Sequence, residues 1–519
     1  MHTLILVSII LLATLENYWP LIAGYRQTPI GFTFLGTVHH PGDYFYYLSQ
    51  FAQGAYRTVT TVDLYTSESL PPSLVGWSNV LLGKFFSLLH VEPIVGYHIS
   101  VAVLTILVFV SAYILCHTIL KSKGYAIFSL YLFMLFHAFP LLRDGTPSYG
   151  DYWNNFAVPR VRIGAVPHQL LIAIASFILV QGIFRRTGGD LSTRTLMLIV
   201  SSSIILGSLQ PILWAITIGT FLLSYVATQR LKQHTHRAVD VHGILALSSG
   251  AIPVLYLYVL FQSLPFSQLK LWEAAQQTTL TLEHFISATG PLMLIAITSI
   301  PFVLTSFTVE RLFLVVFTSI SMFMLVTPLS AYIHISHVRF MSTLTILLLS
   351  IMATIGIRTL VQTHHRILTI LTYLSVLMLS LYLLPNHLKT IRLSSTFNQS
   401  NIYEYLPTQD YRFFRSMASM GEQNDVFLVA PPHNELFPGI SGKRSYNGHH
   451  LLTIQASEKD AHAAKFFGAS MSADDMHAFL TSQSISWVIS PPNQPILNTS
   501  SWASIRAKTD NLVLYAIQK

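Results

Sequence analysis

The sequence predicts a mainly α fold: a polytopic transmembrane helix bundle of about eleven spans, with a large first external loop and a small C-terminal extracytoplasmic α/β domain. Three observations predict it. Hydrophobic residues make up 52% of the 519 residues and charged residues only 10%, against about 25% charged in soluble domains. Apolar runs close to the roughly 20 residues that a helix needs to cross a bilayer recur along most of the chain. After residue 385 the pattern changes to polar, charged sequence in which short strand and helix signals alternate.

The candidate spans cover residues 3–22, 94–119, 124–142, 166–184, 195–208, 211–227, 243–262, 289–307, 312–330, 338–357 and 367–385. The first has no basic flank and no small-residue cleavage site, so it reads as a retained span rather than a removed signal peptide. The fifth and sixth meet at Gly207-Ser208-Leu209-Gln210-Pro211 and read either as two half-helices or as one bent unit. Loop charge sets the orientation. The loops on one side carry 11 basic and 3 acidic residues, and those on the other carry 8 basic and 9 acidic. The basic side is expected to be cytoplasmic. Residues 24–93, 143–165, 263–288 and the tail then lie outside. This gives a membrane module over 1–385, with its first external loop at 24–93, and an extracytoplasmic domain over 386–519. In that tail, 425–430, 486–490 and 512–517 read as strands, and 457–467 and 472–482 as helices, the second capped by Ser472.

The net charge of +8 is spread over short loops, with no basic face carrying interleaved aromatics, so nucleic acid is not an expected partner. A single cysteine, Cys116, lies in an apolar run, which excludes intrachain disulfides and a Cys-based metal site. Walker, Rossmann, His-Glu-x-x-His and Gly-x-Ser-x-Gly motifs are missing from the sequence. His364-His365 and His449-His450 have no partners at ligand spacing. No metal-binding residue is therefore expected, although a divalent cation is left open.

The stretch richest in chemistry is the first external loop. His39-His40-Pro41-Gly42 breaks the chain and Asp43 follows where a helix would start. On that helix Asp43, Tyr47, Gln50 and Gly54 share one face, and Phe45, Leu48, Ala52 and Ala55 the other. A carboxylate at the tip of an amphipathic helix suits a general base; the plainer alternative is an N-cap worth about 1 kcal/mol. Asp63 and Glu68 add carboxylates to the same loop, with solvated loop charge as their plain reading. Residues 71–84, led by Pro71-Pro72, read as a second helix lying along the membrane. In the second external loop, His168 at a span mouth either touches substrate or satisfies a neighbouring backbone group. Arg160, Arg162 and Arg339 lie on the side where a lipid phosphate would need bidentate donors. Arg339, at the start of a span, is alternatively a snorkelling anchor.

Taken together, Phe34-Leu35-Gly36, Asp43 with Tyr47 and Gln50, Tyr65-Thr66-Ser67-Glu68, Leu82-Gly83-Lys84 and Pro167-His168 resemble the GT-C superfamily of integral-membrane glycosyltransferases. The likeness is to prokaryotic members related to protein O-mannosyltransferases and aminoarabinose transferases. Tail motifs continue it: Ile440-Ser441-Gly442-Lys443-Arg444, Asn447-Gly448-His449, Phe466-Phe467-Gly468 and Ile485-Ser486-Trp487. The resemblance implies a polyprenyl-phosphate-linked sugar as donor, a glycan or protein acceptor, reaction on the extracytoplasmic face of the cell membrane, and Asp43 as the catalytic residue. Tyr47, Gln50, Glu68, Arg160, His168 and Arg339 are the expected substrate contacts. Two other classes stay in view: a transporter or flippase for lipid-linked glycans, and a non-catalytic assembly protein that keeps the fold. Transporters commonly show internal repeats and few large external domains. This chain has no repeat and two large external polar regions.

Overall fold

A computed structural model describes residues 1–135, 142–143, 146–147, 166–231, 241–275, 282–363, 366–393, 395–468 and 470–518. Among the described residues, seven helices are long and apolar enough to cross a membrane: His2–Arg26, Pro93–Leu120, Pro167–Thr187, Pro211–Leu231, Val241–Leu260, Val309–Val326 and Thr343–Gln362. The shorter apolar helices Lys123–Leu135, Thr193–Leu209 and Thr369–Pro385 add to them. The chain is thus a multi-pass membrane protein. Proline opens three of the long helices, at Pro93, Pro167 and Pro211, where its missing N–H has no intrahelical partner to lose. The expected break at Pro211 is a turn about the single residue Gln210, with a helix on either side. The span expected over 289–307 is a helix, Leu282–Thr298, kinked at Gly290 (φ 64°) beside Pro291, followed by the short helix Ile300–Val303.

The described residues fall into two compact units. One comprises 1–20, 101–260 and 273–394, and the other 21–100, 261–272 and 395–519. In the helical unit, Thr343–Gln362 is the most enclosed long helix, its apolar window 78% buried. The polar groups on its flank are satisfied by small hydroxyls, such as Ser350 Oγ with Ser129 Oγ at 3.0 Å.

The second unit joins the first long loop to the tail. Phe32–Phe34 pairs antiparallel with Tyr405–Pro407, Thr33 opposite Leu406. A five-stranded sheet follows in the order Arg444–Ser445, Val426–Val429, Ile485–Ser490, Val513–Ile517, Ala503–Lys508. Its first three strands are parallel and the last two antiparallel. Ala456–Phe467 and Ala473–Ser482 supply Ala463, Phe466, Met476 and Leu480 to the core, against Leu428, Val488 and Tyr515 of the sheet. Ser472 caps the second helix by accepting from Asp475 N at 3.1 Å. The edge strand Ala503–Lys508 has no sequence signal, because none of its side chains is fully buried and they include the exposed Arg506 and Lys508. An edge strand needs such charge more than it needs apolar alternation.

Two expectations about the first loop are corrected. The second loop helix starts at Trp77, not at Pro71, because Ser73 pairs with Thr61 in an extended bridge and Gly76 turns the chain at φ 75°. The Asp43 helix runs Pro41–Gln53, so Asp43 is its third residue and His40 occupies the cap position without a side-chain cap. Nor is that helix one-sided. Trp77–Leu88 and His433–Ser441 both pack on it, so Gln50 is as buried as Phe45.

Candidate functional site

The helix Pro41–Gln53 is anchored tightly. Tyr44, Phe45 and Leu48 are fully buried, and the Tyr44 hydroxyl donates to Leu35 O at 2.7 Å. At the crossing with Trp77–Leu88 the backbones touch. A Cβ on Gly83 would lie 2.2 Å from Phe51 O, and one on Gly54 would lie 2.3 Å from Gly83 C. Glycine is required there for closeness. At the open end of this fixed helix Asp43 is exposed, and its carboxylate sits where the helix dipole favours negative charge.

The tail packs against the residues on either side of Asp43. A Cβ on Gly42 would meet Glu435 Oε1 at 2.9 Å and His40 Cε1 at 3.5 Å. Tyr46, one turn beyond Asp43, lies 5.9 Å from the His449 ring and 6.3 Å from Tyr65. Burial, with the charges of Asp63 and Asp43, holds the Tyr46 hydroxyl well above its ordinary value, although its hydrogen bond with Gln50 acts the other way. His449 and His450 stack in parallel, centroids 5.2 Å apart at 6°. Burial pushes the His449 imidazole down to about 3. The sequence marks His449 and His450 only as a histidine pair and part of a tail motif and does not mark Glu435, since nothing local places them beside a helix almost 400 positions earlier.

The other loop carboxylates are built into the tail. Glu68 pairs with the buried Lys459 at 2.7 Å and also accepts from Thr66. Lys459 Nζ reaches Ser67 Oγ at 2.8 Å as well. Burial raises the Glu68 carboxyl, but the hydrogen bonds from Lys459 and Thr66 outweigh it and hold the group below its usual value. Asp63 Oδ1 accepts from Tyr65 N at 2.8 Å, whereas its Oδ2 is buried without a hydrogen-bond partner. Burial pushes Asp63 up to about 7, against the lowering effects of that hydrogen bond and of Arg444 and Lys459. Leu64 and Tyr65 are tied down through their carbonyls, which accept from Ser445 N at 2.8 Å and Thr453 Oγ1 at 2.7 Å.

Among the other expected contacts, Tyr47 is half-buried beside Tyr46, centroids 5.8 Å apart. Gln50 accepts from Asn79 Nδ2 at 2.7 Å and its amide covers Gly76. Arg160 and Arg162 lie outside the described residues. In the helical unit, His168 is in the first turn of Pro167–Thr187 and feels the charge of Arg339. Arg339 sits in the short 3₁₀ turn His337–Phe340 and holds Glu273 in a two-pronged ion pair, Nε–Oε1 2.8 Å and Nη2–Oε2 3.0 Å. Its guanidinium is therefore oriented for a planar oxyanion. Among the described residues no three His, Cys, Asp or Glu side chains converge as a metal site.

No protein-family model and no curated protein sequence matches the chain. Solved structures match over its whole length. Oligosaccharyltransferase AglB from Archaeoglobus fulgidus, in complex with an inhibitory peptide and a dolichol-phosphate, has a TM-score of 0.53 at 10% identity, covering 99% of this chain and 74% of that one. ArnT from Cupriavidus metallidurans, bound to undecaprenyl phosphate, has a TM-score of 0.53 at 11% identity, covering 99% and 97%. At such identities the likeness is one of fold. The chain shares its fold with these two proteins, in line with the fold that its motifs led one to expect.

Proposed function

We propose that this chain is a membrane glycosyltransferase that moves a sugar from a polyprenyl-phosphate donor to an acceptor hydroxyl on the extracytoplasmic face. The observation that carries this reading is Asp43: an exposed carboxylate at the open end of a helix whose remaining surface is locked in place, in a chain with this fold. Asp43 takes the proton as the acceptor oxygen attacks the anomeric carbon. The bond from that carbon to the phosphate oxygen breaks, and its electron pair leaves with the lipid phosphate, inverting the anomeric centre. Arg339 receives the phosphate in this reading, by exchanging the Glu273 carboxylate for an oxyanion of similar spacing.

The test is a transfer assay in membranes with a panel of radiolabelled polyprenyl-phosphate sugars, comparing wild type with Asp43→Asn and Asp43→Ala. Asp43 is not the cap residue, so Asn leaves the helix start intact and removes only the base. Turnover should fall by roughly 10²–10⁴-fold with donor binding and thermal stability retained. An Asn variant that keeps most of the wild-type rate would remove Asp43 from the role of base.

A further inference from the structure

Two arginines meet at one end of the helical unit. We propose that Arg311 and Arg358 form a site for a phosphate group, supplied in a membrane by the headgroup of an anionic phospholipid. Such a site is independent of the transferase reading.

The helices Val309–Val326 and Thr343–Gln362 run antiparallel, with Thr345 Oγ1 bonded to Ser321 Oγ and Thr318 Oγ1 to Met352 Sδ, each at 3.5 Å. Carried about two turns further, this register brings Arg311, in the first turn of one helix, level with Arg358, near the end of the other. Both side chains are half-buried. Arg311 feels the charge of Arg358 more strongly than that of its own neighbour Glu310. Each is held in place. Thr308 caps the first helix by accepting from Arg311 N at 3.3 Å, and Phe313 is buried edge to face against Phe184 at 5.4 Å. Arg358 Nη1 donates to Leu120 O at 3.1 Å and Nε to Gln362 Oε1 at 3.3 Å, while its guanidinium lies over the Tyr125 ring at 5.0 Å.

Two like charges fixed beside each other in a half-buried place repel, and a membrane protein keeps such a pair at a cost. Arg311 Nη1 is also buried with no hydrogen-bond partner among the described residues, and a buried donor left unmade is destabilising. A phosphate answers both. Its charge offsets the two guanidiniums, and its oxygens accept from Arg311 Nη1 and from Arg358. Arg311 stands in the first turn of a helix long enough to span and Arg358 in the last two turns of another, where a basic pocket between helices meets lipid headgroups. The exposed Lys121, Lys123 and Arg185 extend the positive charge to the neighbouring helix ends. Asp190, the carboxylate beside Arg185, is taken up by Ser192 and Thr195.

The experiment is thermal unfolding of the full chain in a neutral detergent, with added phosphatidylglycerol, with phosphatidylcholine, or with inorganic phosphate at matched ionic strength. Phosphatidylglycerol should raise the wild-type Tm by several degrees and phosphatidylcholine should not, since a ligand of the folded state stabilises it. Arg311→Gln and Arg358→Gln should lose most of that rise, and Arg311→Lys should keep part of it, because the charge stays while the fork is lost. Arg230→Gln, at the exposed end of Pro211–Leu231, should keep all of it. The rise is compared, not the starting Tm; should Arg311→Gln fail to give folded protein, Arg358→Gln and Arg311→Lys decide on the same terms. A rise produced by inorganic phosphate alone, to which phosphatidylglycerol adds nothing, keeps the site and replaces the lipid by the free ion. An equal rise in wild type and Arg311→Gln, the same loss in Arg230→Gln, or no rise with either phosphate source overturns the site.

Discussion

Asp63 is the residue whose environment departs most from its sequence. Its folded value of about 7 lies above the 3.8 of an unperturbed Asp. Between those values the folded state binds more protons than the unfolded one, so this group's contribution to stability is present below about pH 4 and is lost as pH rises to 7. His449 has the opposite sign, since its depressed value adds stability as pH rises from about 3 to 6.5. The wild-type profile is therefore mixed, and a variant is needed to isolate Asp63. Asp63→Asn should raise the Tm by a few degrees at pH 8 and leave it nearly unchanged at pH 4, measured by thermal unfolding in detergent. Equal shifts at both pH values would rule out a proton as the cause. Arg339 makes a second residue-scale prediction. Arg339→Lys keeps the charge but loses the fork that now spans both Glu273 oxygens. Donor-lipid binding should fall in the order wild type, Lys, Ala, with Ala weaker by about tenfold or more. Identical affinities in all three would leave Arg339 as the partner of Glu273 and nothing else.

At the scale of elements, the crossing of Pro41–Gln53 with Trp77–Leu88 sets the position of everything around Asp43. Gly83→Ala would ordinarily favour a helix by up to about 1 kcal/mol. Here the added methyl meets backbone at 2.2 Å, so the clash decides the sign. The variant should lose about 1–3 kcal/mol of stability, seen as a lower Tm, together with reduced transfer. An unchanged Tm would mean that the two helices separate at little cost. What sequence reveals at this scale follows from burial. Strands 426–429, 485–490 and 513–517 are apolar because they cross the core of the tail, and the long spans are apolar because their surroundings are. The one-sided pattern assigned to the Asp43 helix misled at Gln50, whose amide satisfies Asn79 inside the protein rather than water outside. A buried polar pair looks like a surface in sequence. The start of the second loop helix was hidden for a related reason: Pro71-Pro72 suits a helix N-terminus, but Ser73 is claimed by a strand partner at Thr61.

For the whole molecule, the charge asymmetry of the loops predicts that the tail is extracytoplasmic. A reporter active only in the cytoplasm, fused after Lys519, should be silent, and the same reporter within residues 232–240 should be active; the reverse pattern would invert the topology. The architecture was legible because hydropathy is local. The site was only half legible: Asp43 stands in a recognisable loop, whereas Glu435, His449 and Lys459 come from the tail through contacts that no local pattern encodes. That reach matters during synthesis. Thr33 and Thr408, bonded at 3.1 Å, are 375 positions apart, which a ribosome covers in roughly 20–75 seconds. Throughout that interval the first loop has an unpaired edge at Phe32–Phe34 and Glu68 lacks Lys459. The carboxylate exists from the start, but the surroundings that hold it are finished only when the tail emerges. In a partly made chain this loop therefore lacks the strand partner and the buried lysine that the finished tail provides.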